Sequence, residues 1–240
     1  MKSLNLIKPA LFLLIILCMA SPAVKAQEEK NVSLSNFSEV SVSAGLELII
    51  TQGNSESARI IASPKLIDEV VVEQNGNKVD VKWKNHLDSK KVWRNRTAKV
   101  YISYKHLNVI EASSGSSLRT DNDLKTDHLD ASVSSGALIE GKISCQDLKL
   151  QVSSGATASM SGSAKNITAE SSSGGTVNAL DLNTEYAMVR ASSGANVKIN
   201  VAKGLEVTYG SGGSIQYKGN AELQNHSANN KSGGSVRRIN

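Results

Sequence analysis

Downstream of residue 110, a serine followed by glycine and then a tiny residue recurs at nearly constant intervals. The glycines are Gly115, Gly136, Gly155, Gly174, Gly194, Gly212 and Gly233, spaced 18 to 21 residues apart. The preceding residue is always serine: Ser114, Ser135, Ser154, Ser173, Ser193, Ser211 and Ser232. Aligning the chain on the glycine brings apolar columns into agreement. Three positions after it stand Leu118, Ile139, Ala158, Val177, Val197, Ile215 and Val236; five before it stand Ile110, Ala131, Leu150, Ala169, Val189, Val207 and Ala228. Apolar positions two apart define one face of a β-strand, whereas a helix would space them by three and four. A fixed period of about 20 residues is shorter than a propeller blade, and after residue 110 the sequence has no Asn-Gly or Asp-Gly tips for a run of hairpins. The pattern predicts an all-β chain: a parallel β-helix whose coils stack at about 4.8 Å, so that equivalent residues form ladders.

Within that reading each Ser-Gly pair marks a sharp corner, because glycine adopts backbone angles closed to other residues. The serines share the parity of the apolar columns. They are therefore expected to pack inside the bend, with hydroxyls passing hydrogen bonds from coil to coil. The rival reading is an exposed serine ladder that binds ice or glycan.

The organisation divides into three parts. Residues 1–26 combine Lys2 and Lys8 with an apolar run, "LFLLIILCMA", and end in "VKA", which is the pattern of a cleaved secretory signal. The run is too short for a comfortable membrane span of about 20 residues, so none is expected after cleavage. Residues 27–110 form an amino-terminal strand and hairpin segment that starts or caps the solenoid. Residues 111–240 form the seven-repeat β-helix. The charge of the mature chain is close to balanced. Of the 27 basic residues three lie in the signal, which leaves 24 against 22 acidic ones and removes any case for a nucleic-acid partner. Only Cys145 remains after cleavage, so no internal disulfide forms, and a small buried thiol is expected.

The amino-terminal segment already carries one coil pattern. In "FSEVSVSAGLELIIT", Val40, Val42, Ala44, Leu46, Leu48 and Ile50 share one parity around Gly45. An excursion follows, read as a strand over 58–62, a helical turn begun by Ser63 and Pro64, and a hairpin across Asn75-Gly76. The stretch "KWKNHLDSKKVWRNRTAK" sets two aromatics among cations. It makes Trp83, Trp93, Arg94 and Arg96 the candidate ligand-binding residues, suited to stacking a sugar or holding an acidic glycan. The alternative is a solvated loop with one Trp tucked onto the core.

Other chemistry is not signalled. The four histidines are isolated, without zinc spacing. "DNDLKTD" begins like a calcium loop but lacks its glycine and its closing glutamate. There is no phosphate-binding loop, no nucleophile elbow and no stacked carboxylate pair of a glycosidase. No metal, cofactor or catalytic residue is expected.

Taken in order, "FSEVSVSAGLELIITQG", "SPKLIDEVVVEQNGNKVDVKW" and the "SSG" repeats resemble the auto-transporter adhesin, head GIN domain family, across about residues 36–238. The resemblance implies a right-handed parallel β-helix in an exported protein without agreed catalytic residues. The functional expectation is a non-catalytic, adhesin-like solenoid, periplasmic or at the cell surface, binding glycan, envelope polymer or protein. A polysaccharide-degrading β-helix enzyme and a purely structural envelope spacer are the alternatives. The sequence carries no signal for oligomeric state.

Overall fold

The computed structural model describes residues 27–84, 98–228 and 233–240. Strand follows strand throughout, and no helix forms among the described residues. The first seven strands are β1 (Glu28–Ser33), β2 (Glu39–Val42), β3 (Glu47–Gln52), β4 (Ser57–Ala62), β5 (Val70–Asn75), β6 (Lys78–Trp83) and β7 (Ala98–Tyr104). Next come β8 (Val109–Ala112), β9 (Ser117–Thr120), β10 (Leu124–Lys125) and β11 (His128–Val133). The long strands β12 (Leu138–Val152), β13 (Thr157–Ser171), β14 (Thr176–Ala191) and β15 (Asn196–Tyr209) precede β16 (Ser214–Lys218), β17 (Glu222–Ala228) and β18 (Ser235–Arg238).

From β8 onward the described pairings are parallel, and the molecule is a β-solenoid. Two ladders meet at the Ser-Gly corners. In the ladder entering the corners, Ala112 pairs with Val133, Val133 with Val152, Val152 with Ser171, and Ser171 with Ala191. In the ladder leaving them, Leu118 pairs with Ile139, Ile139 with Ala158, Ala158 with Val177, and Val177 with Val197. Each long strand starts in the second ladder and ends in the first, one coil further on. The apolar columns from the repeat alignment fill the interior: Ile110, Leu118, Leu129, Ile139, Leu150, Val189 and Val197 are all at most 1% exposed. Such stacked aliphatics supply most of the driving force, about 1.5–3 kcal/mol for each fully buried side chain.

The serines depart from the expected placement. Ser114, Ser135, Ser154, Ser173, Ser193 and Ser211 are exposed, and it is the next tiny residue that turns inward, as in Ser116, Ala137, Ala156 and Ala195. The backbone explains the reversal. Each of the six serines has φ between 48° and 55°, and its glycine lies between 69° and 76°. Two successive left-handed residues make a type I′ turn, closed by bonds such as Ala156 N–H to Ser153 C=O at 3.1 Å. Alternation cannot be counted through such a turn. The coil-to-coil bond at the corner is also backbone. Gly115, Gly136, Gly155, Gly174 and Gly194 each donate N–H to the C=O of the following coil's corner serine at 3.0 Å. Among the described residues, the six hydroxyls make no hydrogen bond.

The coil made of β2 and β3 stacks directly on the coil of β8 and β9: Val42 pairs with Ala112 and Leu48 with Leu118. Ser116 seals that step by donating from Oγ to the Val42 carbonyl at 3.0 Å. On the far side of β2 and β3, β6 and β7 continue the two ladders. Beyond them the pairing becomes antiparallel: β5 on β6, β4 on β7 and β1 on β4. The β5–β6 hairpin forms as expected, but its two loop residues are Gly76-Asn77: Asn75 pairs with Lys78 as the end of β5, and Gly76 takes the left-handed position at φ 62°. The helical turn expected at Ser63 is only a hydrogen-bonded turn, in which Leu66 and Ile67 N–H both donate to the Ser63 carbonyl. Strand β5 begins at Val70, too soon for a helix to propagate.

Candidate functional site

Trp83 does not project a free ring. It is half-buried against the core, and its indole Nε1 donates to the Ala44 carbonyl at 2.8 Å. Ala44 is itself a left-handed corner residue, φ 59°, beside Gly45 at 76°. The indole thus braces the turn between β2 and β3, as a buried Trp N–H that must find an acceptor. Trp93, Arg94, Arg96 and Ser232 lie outside the described residues.

Among the described residues, the outer flanks of the two ladders offer surface to a ligand, since every second residue of a strand points to solvent. On the flank leaving the corners, Arg119 pairs with Glu140 at 3.0 Å and Lys142 with Asp123 at 2.9 Å. Arg119, Glu140 and Lys142 border a groove of about 330 Å³, also lined by Gly141, Ser159, Ser161, Asn178 and Asp181. Small residues let the groove cut across neighbouring coils: Glu140 pairs in register with Ser159, and Ser159 with Asn178.

The flank entering the corners carries a second polar row. Glu170 accepts from Arg190 at 2.7 Å and from Gln151 at 3.4 Å. Bonding to Arg190 holds the Glu170 carboxyl below its ordinary range. Further along, His128 meets Asp147 at 2.9 Å, and Asn166 donates to Asp147 at 2.7 Å. Lys203 pairs with Glu185 at 2.7 Å, which likewise holds the Glu185 carboxyl down. Where a carboxyl shift is resolved among the described residues (Glu73, Glu170 and Glu185), it is downward. A glycosidase acid needs the opposite, a carboxyl pushed up by burial or a like charge.

Cys145 is half-buried, and burial together with Asp147 pushes its thiol up to about 11, far from thiolate reactivity. No group of three or more His, Cys, Asp or Glu fit to hold a metal occurs among the described residues. The acidic run after Thr120 instead ties coils together. Asn122 exchanges two 2.9 Å bonds with the backbone of Gln52, and Asp123 takes the Lys142 pair. No helix long and apolar enough to cross a membrane occurs among the described residues.

A rigid stack of parallel coils, closed at one end by antiparallel strands and polar along its flanks, places the molecule in the class of β-solenoids that present a surface. The chain belongs to the family described as "Putative auto-transporter adhesin, head GIN domain", which its sequence matches over residues 36–221. Its fold is similar to three crystal structures, each described as a putative adhesin. One, from Bacteroides fragilis NCTC 9343, has a TM-score of 0.80 at 19% identity, covering 90% of this chain and 98% of that one. Another, from Parabacteroides distasonis ATCC 8503, has a TM-score of 0.70 at 15% identity with the same coverages. The third, from Parabacteroides merdae ATCC 43184, scores 0.68 at 15% identity, again covering 90% and 98%. At these identities the likeness is one of fold. No curated protein matches the sequence significantly.

Proposed function

We propose that the protein is an exported, non-catalytic, adhesin-like solenoid that binds glycan, envelope polymer or protein at the periplasm or cell surface through an outer flank. Residues 1–26 act as the cleaved export signal, residues 27–110 close the amino-terminal end, and residues 111–240 form the stack that carries the binding surface. One observation supports the reading most: side chains on the flanks are held in register from coil to coil, so a groove bordered by Arg119, Glu140 and Lys142 continues across several coils. An extended ligand gains from such preorganisation, because little ordering entropy is lost on either side. The family description and the adhesin neighbours point the same way. The patch of Trp93, Arg94 and Arg96 stays a secondary site in this reading, since Trp83 is already engaged with the corner at Ala44.

The test is an array of glycans and envelope polymers probed with residues 27–240, with reducing ends assayed on every bound polymer. Binding without release of reducing ends is the expected outcome. New reducing ends would make the protein an enzyme, and a blank array would remove the reading for glycans and envelope polymers.

A further inference from the structure

Large apolar side chains are rare on this surface. Among the described residues only Tyr186, Met188 and Leu223 are exposed, at 44%, 38% and 39%. Tyr186 and Met188 are two apart on β14, so they stand side by side on the outer face of the flank entering the corners. Tyr186 pairs in register with Gly204 of β15, which has no side chain to fill the neighbouring position. A Cβ at Gly204 would come within 3.1 Å of Tyr186 Cδ1 and within 3.1 Å of Gln224 Nε2. The ring therefore leans over the next strand, close to the sheet, while staying nearly half exposed. Asn166 pairs with Tyr186 from the other side. Its amide nitrogen is committed to Asp147 at 2.7 Å, which leaves its carbonyl oxygen able to accept. The Lys203 ammonium lies 5.8 Å from the ring centroid and is bound to Glu185.

We propose that Tyr186, with Met188 beside it, is a stacking platform for a pyranose ring of a neutral polysaccharide, with Asn166, Gln224 and Lys203 at its rim. The proposal rests on the adhesin-like reading above and gives it a site and a ligand class. An aromatic ring held near a flat sheet offers apolar area at little entropic cost, and a few polar groups around it fix orientation. The ligand is neutral because the cation that lies over the ring, Lys203, is already matched by Glu185 at 2.7 Å. A sugar fits better than a folded protein. Two side chains make a ring-sized patch, whereas a specific protein interface needs about 800 Å² from each partner.

The experiment is affinity electrophoresis of residues 27–240 in native gels containing mixed-linkage β-glucan, galactomannan, starch or, as the acidic arm, alginate. At least one neutral polymer retards the wild type. Tyr186→Ala weakens that retardation tenfold or more, and Tyr186→Phe keeps it. Met188→Lys, at an outward position that pairs in register with Glu206, also weakens it and covers the case in which Tyr186→Ala misfolds. Retardation of Tyr186→Ala equal to that of the wild type overturns the site and leaves the adhesin-like reading standing. Retardation by alginate alone overturns the neutral ligand class, again without touching that reading. No retardation by any polymer overturns the proposal, and a blank array in addition removes the glycan reading beneath it.

Discussion

The two halves of the molecule use the same coil but order it differently. From β8 to β16 each coil lies on the one that follows it in sequence, so Leu118, Ile139, Ala158, Val177 and Val197 are neighbours in chain order. At the amino-terminal end the coil of β2 and β3 lies on β8 and β9, 70 residues later, and has β6 and β7 on its other side. The first arrangement repeats one local contact; the second closes long loops before it gains any. The ordered stack also brings backbone against backbone at places the amino-terminal end leaves open. Gly162, at φ 100°, sits where a Cβ would meet the Ile143 carbonyl oxygen at 2.1 Å, whereas around Gly76 there is nothing within 4 Å. Gly162→Ala combines left-handed strain with a clash that no rotamer relieves, and should cost about 3 kcal/mol. Gly76→Ala meets the strain alone, about 1 kcal/mol. Urea unfolding of the two variants measures the difference. Equal losses would mean that the coil spacing at Gly162 relaxes freely and that the stack is not the tighter region.

A smaller effect is expected at the seam between the two regions. Gln52, the last residue of β3, donates from Nε2 to the Lys105 and Lys125 carbonyls at 3.1 Å each, and its Oε1 accepts from Lys125 N–H at 2.8 Å. It joins the end of β7 to β10, two elements that do not pair with each other. Gln52→Ala removes three bonds at an exposed site, so the loss should be about 1–2 kcal/mol. Hydrogen exchange at the Lys125 amide should accelerate, with the amides of β13 and β14 unchanged. Acceleration that spread into β13 and β14 would show that the two regions open as one unit, and would erase the distinction drawn above.

The difference in order explains what was legible in the sequence. A ladder built by chain neighbours writes itself as columns, so Leu118 to Val197 could be read as one interior line, and Asn75-Gly76 as a hairpin from its own turn chemistry. That the Gly45 coil carries the same pattern was visible too. Its contact with the Gly115 coil was not, because no local signal spans 70 residues. Parity misled at the serines, where a type I′ turn interrupts the alternation that inward packing was counted from. The alternative of one Trp tucked onto the core describes Trp83, but its acceptor was not legible, because the Ala44 carbonyl belongs to a different coil. The Tyr186 platform left a faint trace. Tyr186 and Met188 occupy outward columns that elsewhere hold Asp147, Asn166, Lys149 and Thr168, an apolar intrusion readable only once the register is known.

The corners themselves give the subtlest contrast between the halves. In the stack the first left-handed position is serine, but at the amino-terminal end it is Ala44, with φ 59° against 54° for Ser154. Alanine lacks a hydroxyl, yet it makes the same turn. The coil-to-coil bond at Ser154 is the Gly136 N–H to its carbonyl, which any residue supplies. Ser154→Ala should therefore change stability by less than about 0.5 kcal/mol, the usual range for an exposed site away from special features. Ser154→Asn should stabilise slightly, by about 0.5 kcal/mol, because asparagine enters the left-handed region more readily than serine. Thermal and urea unfolding of both variants provide the measurement. A loss of about 1 kcal/mol in Ser154→Ala, the net worth of one hydrogen bond, would mean that the hydroxyl takes part in holding coils together and that the two kinds of corner are not equivalent.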